Sequence, residues 1–433
     1  MYGLSRTSAA AALTPGGTSH VGNKMLVRTA AAAAGLVAAT LVVVEVDPAR
    51  AGNLQVLPVT TTEDELDPNP QAGAGVSLRE RMQDANFQDG DDNRIVIELQ
   101  RGQTYRLDLC AAAPNQAVDE EQNATGDLDQ TSSARVDIVS AGPGTALATI
   151  EQTCANQRVI ERHASANTRV LLLEGVRITG GDANSPELGG NTGGGVRSAG
   201  EVRLREGTVV EGNRALLSGG GIFAAGVLDA SEGSTIRDNR ADGSGSNSLG
   251  GGAYAQGGLD LARASITGNL ATGSVGGVGT DGFADVVGST VSGNRAFVDG
   301  GGLRADDLVL LSSTISQNQA GQDAGGLLVA DDAEVRSATI VANRAPETAT
   351  MTVLGDLLVF RSIVGLGSDG VDCDLRGTIA GNPPFLGADE SCLFAADPPA
   401  HPMVGPLADN GGPTRTHRPV SPSPAIDAYS DAT

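Results

Sequence analysis

Six stretches of this chain share one pattern: TVVEGNRA (208–215), STIRDNRA (234–241), ASITGNLA (264–271), STVSGNRA (289–296), STISQNQA (313–320) and SATIVANRA (337–345). Their asparagines are Asn213, Asn239, Asn269, Asn294, Asn318 and Asn343, spaced 26, 30, 25, 24 and 25 residues apart. A second mark follows nine residues after most of them, a glycine pair or triplet and then Ile222, Val278, Leu303 or Leu327. Ala253 comes later because GSGSNSL is inserted before it, and Gly193-Gly194-Gly195-Val196 is an earlier copy. A fixed period of this length restricts the chain to a solenoid, a propeller or an array.

The residues choose among these. Val210, Ile236, Ile266, Val291, Ile315 and Ile340 each sit three places before the asparagine, between small or hydroxyl residues. That alternation has period two, which is a strand with one face inward. No helical stripe separates the strands, the Leu ladder of a leucine-rich repeat is missing, and propeller blades are longer, about 40 residues or more. The prediction is an all-β fold, a right-handed single-stranded parallel β-helix over 93–385. In such a coil equivalent side chains stack one rung apart, about 4.8 Å. The asparagines are then a structural ladder satisfying buried turn amides, and the glycines serve corners with φ > 0. NRIVIELQRGQTYRLDL (93–109) and RVLLLEGVRITGG (169–181) read as less regular coils, and the polar stretch 111–134 as a loop.

Residues 29–44 form a 16-residue apolar run after Lys24 and Arg28, followed by Ala49-Arg50-Ala51. This is the pattern of a secretory signal peptide cleaved after Ala51, with Met25 as the true start. The mature chain would begin at Gly52 and hold no lysine, since Lys24 is the only one. It would have no transmembrane span. Export makes Cys110–Cys154 and Cys373–Cys392 the expected disulfides, by nearness in sequence. The formal net charge of -23 argues against nucleic-acid binding.

Both ends carry cap-like segments. Ser77 and Glu80 form a capping box at the head of a short helix whose Leu78, Met82 and Ala85 share a face. VTTTEDELD (59–67) with VSLRERMQDAN (76–86) resembles the CSLREA domain of secreted bacterial β-helix proteins, with Val76 at the family's Cys and Arg81 at its Ala. PMVGPLADNGGPTRTHRPVSPSPAID (402–427) resembles the conserved segment of choice-of-anchor Q proteins. The repeats are similar, more weakly, to those of polymorphic outer-membrane proteins. The division is an N-terminal cap over 52–92, the coil, and a C-terminal segment over 386–433. The resemblance implies an exported or cell-surface protein with no established activity, and no sorting motif follows before Thr433.

Candidate chemistry is sparse. Asp281, Asp306 and Asp331 recur at 25-residue intervals, with Asp307 and Asp332 beside the last two. As a column they are candidate Ca²⁺ ligands, although aspartate also suits a repeated turn. No other cofactor is implied. The histidines beyond the leader are His163, His401 and His417, and neither a zinc-protease helix motif nor a nucleophile elbow occurs. The expected function is therefore non-catalytic: adhesion, or binding of an extracellular polysaccharide or cell-surface component. The alternatives are a carbohydrate-active enzyme, a lyase or glycoside hydrolase, and an ice- or crystal-surface binder using Ser265/Thr267, Thr290/Ser292 and Thr314/Ser316.

Overall fold

The computed structural model describes residues 53–67, 73–88, 90, 93–110, 123–163, 170–183, 191–243, 248–382, 386–387, 389–392 and 401–426. The apolar run, Met25 and the cleavage site at Ala51 lie outside the described residues, as does Asp427.

The chain winds as a parallel β-helix. One coil shows the plan: Val278–Thr280, Phe283–Val287, Thr290–Ser292 and the two-residue Arg295–Ala296. Each strand pairs in parallel with its equivalent one coil on, as in Val278 with Leu303, Ala284 with Leu308 and Val291 with Ile315. We call the resulting sheets I, II and III in coil order, with ten, twelve and eleven strands among the described residues; a five-stranded minor sheet closes part of the perimeter. Alternation sends one side chain inward and the next outward. Val210, Ile236, Ile266, Val291, Ile315 and Ile340 are wholly buried in one continuous core.

The asparagine ladder lies inside. Asn294 donates from its backbone N and from Nδ2 to Asn318 Oδ1, both at 3.0 Å, and Nδ2 also donates to the Ile266 carbonyl one coil back at 3.0 Å. Asn213, Asn239, Asn269 and Asn318 each repeat the bond to the next asparagine, and Asn343 ends the run. The glycines that follow have two reasons, of which the first is the one expected. Positive φ belongs to the first residue of the triplet, as at Gly219, Gly250 and Gly300, and Val275 and Ala324 adopt it in two coils. The glycine just before the apolar residue is required by close approach: a Cβ on Gly277 would lie 2.4 Å from the Gly302 carbonyl oxygen and 3.0 Å from Asn294.

The N-terminal end departs from the predicted boundaries. Leu54–Pro58, inside the expected cap, pairs in parallel with Arg94–Glu98 and forms the outermost strand of sheet II. Within the stretch read as a loop, 111–122 is outside the described residues, but Leu128–Gln130 is a buried strand paired with Ile160–Arg162. The helix Leu78–Asn86 has the predicted capping box, Ser77 Oγ accepting from Glu80 N and Glu80 Oε2 from Ser77 N. It packs against Leu128–Gln130 and Arg94–Gln100. Its buried Arg79 pairs with Asp64 at 2.7 Å and donates to the Gly126 and Asp127 carbonyls.

Disulfides tie both ends. Cys110 and Cys154 sit in neighbouring coils, their Cα atoms 5.3 Å apart, and Cys373 joins Cys392 at 5.1 Å. The C-terminal segment forms an antiparallel hairpin, Val404–Ala408 with Thr416–Pro419. It does not lie on the open end of the coil. Thr290 Oγ1 donates to the Arg415 carbonyl at 2.6 Å and Thr414 Oγ1 to the Gly288 carbonyl at 3.0 Å, so the hairpin docks on sheet III.

Candidate functional site

Parallel register converts distant sequence positions into outward rows one rung apart. On sheet I one row runs Asp129, Glu161, Arg197, Phe223, Tyr254, Gly279, Arg304, Leu328, Thr352 and Asp374. It is outward because the neighbours on either side, such as Val278 and Leu303, fill the core.

The middle of the row is built around Tyr254. Its hydroxyl donates to Asp281 Oδ1. Arg304 Nη1 reaches the same carboxylate at 3.2 Å and the Tyr254 oxygen at 3.3 Å, and its Nη2 lies 3.7 Å from Asp306. Gly279 makes room for the ring, since a Cβ there would be 3.2 Å from Tyr254 Cε2. Burial, and then the hydrogen bond to Asp281, push the phenol well above its ordinary range, so it stays protonated. The half-buried Phe223 lies one rung away. Tyr254 is only 3% exposed, so the partly exposed ring of Phe223, bordered by Arg197, is the aromatic surface this pair offers.

The N-terminal end of the row is a buried ion network. His163 Nε2 is 2.7 Å from Asp129 Oδ1, and Nδ1 is 3.8 Å from Glu161 Oε1. Glu161 also meets Arg197 through Oε1 and Arg158 through Oε2. Asp129, Glu161 and His163 bring ligand atoms within 4.8 Å of one another. Their donor types suit a metal ion, but guanidinium groups already neutralise both Glu161 oxygens. The arrangement therefore reads as charge pairing beside the helix cap. Sequence reading missed this network because its residues fall in the irregular coils, where no period announces them.

The predicted aspartate column is divided by the structure. Between sheets I and II the corner holds two residues after Thr280 but one after Ala305. Asp306 N therefore bonds the Gly282 carbonyl at 3.1 Å, and Asp331 N bonds the Asp306 carbonyl at 2.8 Å. Asp281 stands one place aside, held by Tyr254 and Arg304. Among the described residues, Asp281, Asp306 and Asp331 do not form a group of three within ligand distance. The in-register column is instead Asp307, Asp332 and Asp356. Asp307 Oδ1 accepts from Asp332 N at 3.2 Å, Asp332 Oδ1 from Asp356 N at 2.8 Å, and Asp356 Oδ1 from Thr378 N at 2.8 Å. Corner capping explains it.

The other faces differ in character. Sheet II carries an acidic row, Asp229, Asp260 and Asp285 on successive rungs, with Asp229 paired to Arg205. Sheet III carries the hydroxyl pairs. Ser265 and Thr267 are half-buried, whereas Thr290, Ser292, Thr314 and Ser316 are buried, so the latter two pairs are not presented to a crystal surface in this arrangement.

Fold and rows together define the class, a disulfide-tied parallel β-helix protein. Comparison with family models, with curated proteins and with solved structures finds no match.

Proposed function

We propose that this chain is an exported, non-catalytic extracellular or cell-surface protein that binds an extended polysaccharide along the outward row of sheet I. The observation that carries this reading is the partly exposed ring of Phe223, backed on the next rung by the buried Tyr254 and set between Arg197 and Arg304. Rungs repeat about every 4.8 Å, close to the rise of one sugar unit in an extended glycan. Repetitive faces of this kind suit long ligands. The ion pairs of Arg197 with Glu161 and of Arg304 with Asp281 neutralise the row locally, which favours a neutral glycan over a polyanion. Export is supported by the leader pattern, the two disulfides and the likeness to secreted β-helix proteins. Among the described residues no helix is long and apolar enough to cross a membrane.

Glycan-array screening followed by affinity electrophoresis tests the reading. Phe223→Ala should weaken binding to the best glycan about tenfold, in line with the loss of one aromatic anchor. Unchanged binding, or no glycan bound by the parent chain, overturns it. Intact mass of the secreted protein should place its first residue at Gly52.

A carbohydrate-active enzyme is the second reading, favoured by the His163–Asp129 pair at one end of the same row. It requires reducing ends or unsaturated products to appear on incubation with a polysaccharide, and to disappear in His163→Ala.

A further inference from the structure

Sheet III carries two outward hydroxyl rows. One runs Thr235, Ser265, Thr290, Thr314 and Thr339; the other runs Thr267, Ser292 and Ser316. Eight hydroxyl groups thus stand on successive rungs without an intervening charge. Upstream, the same positions hold Arg177, Glu211 and Arg237, which pair with one another. The hydroxyl field is a distinct patch on that sheet.

The C-terminal hairpin docks within this field. Two hydrogen bonds between it and sheet III are defined, Thr290 Oγ1 to the Arg415 carbonyl and Thr414 Oγ1 to the Gly288 carbonyl. The hydroxyls of these coils are buried, Thr290 to 3% and Ser316 to 0% exposure. Yet Ser316 Oγ, which points outward from sheet III, has no hydrogen-bond partner among the described residues. Burying an unsatisfied hydroxyl is unfavourable, because the group loses water and gains nothing in return. The face therefore keeps a polar group that a ligand carrying donors and acceptors can satisfy. The hairpin's own strands bond to each other and not to the coil, so it can leave without breaking the rungs.

We infer that the hydroxyl field of sheet III is a second binding surface, for a neutral polyhydroxyl chain, and that the hairpin Val404–Pro419 is a displaceable strap that masks it. A sugar chain supplies both donors and acceptors at each rung, which is what paired Thr and Ser columns require. It would also satisfy Ser316. Masking makes this surface conditional.

The test uses the full chain in a Phe223→Ala background, so that failure of the sheet I reading is separate from failure of this one. Thr290→Cys/Thr414→Cys, oxidised and confirmed by mass, locks the strap; each single cysteine variant is its control. Thr414→Val loosens it by removing the bond to Gly288. Pull-down on microcrystalline cellulose should show at least tenfold less bound protein for the locked form than for the loosened form. Backbone amides of 405–419 should exchange faster than those of the strands 303–316. Equal retention of locked and loosened forms, no retention of the loosened form, or strap exchange as slow as that of the coil would each overturn the proposal.

Discussion

Asn294 shows how one residue serves two coils. Its amide donates forward to Asn318 Oδ1 and back to the Ile266 carbonyl, while its oxygen accepts from Asn269. Leucine has similar bulk but none of these groups. Asn294→Leu should therefore leave buried turn amides unsatisfied and cost about 1–3 kcal/mol, read as a lower denaturant midpoint with unchanged slope. Asp372 makes the opposite case, a buried ionisable group. Burial raises its carboxyl pKa although Gly367 N and Thr350 Oγ1 donate to it. With the folded value above the unfolded one, the folded state holds its proton more tightly. Stability is then greatest below the unfolded pKa and declines as pH rises through the folded one. Asp372→Asn accepts the same bonds without charge. It should flatten that acid-range slope in a series of melts at different pH.

Elements in this chain hold together through their neighbours one coil away, so the ends are the weak points. The two disulfides and the Ser77-capped helix sit there. Cys110–Cys154 closes a 44-residue separation across the first coils. Replacing both cysteines by serine should lower stability by about 2–4 kcal/mol. Hydrogen exchange should speed first in 94–107 and 148–152, and last in the coils around Asn269. The native protein should show no titratable thiol until reductant is added, and four afterwards. The hairpin is the element that sequence periodicity misplaced. Its residues read as an end segment, but its docking partners are Gly288 and Thr290, about 125 positions earlier in the chain.

At the scale of the whole molecule the coil behaves as a one-dimensional stack, in which each rung contributes its own stability and one interface. Residues 303–326 make exactly one rung, since Leu303 pairs with Leu327 and the glycine before each occupies the same place. Deleting 303–326 should preserve the β-rich circular dichroism spectrum with a modestly lower melting temperature. Deleting only twelve of those residues breaks register and should abolish cooperative melting. Both outcomes follow from stacking, and equal damage in the two deletions would contradict it.

The sequence by itself determined the repeat, and with it the parallel coil, the inward Asn column and the inward β-branched residues. Those features depend on local alternation and a fixed period, both visible in one dimension. It also carried the capping box, because Ser77 and Glu80 are three residues apart. The tertiary structure alone decided which outward residues meet. A corner one residue longer after Thr280 than after Ala305 moved Asp281 out of line with Asp306, and no equal spacing of letters could reveal it. Tyr254 meets Arg304 across two rungs, and His163 meets Asp129 across an irregular coil, because register between strands, not distance along the chain, sets who is adjacent. The position of the hairpin on sheet III is decided in the same way, by a surface that exists only once the rungs have stacked.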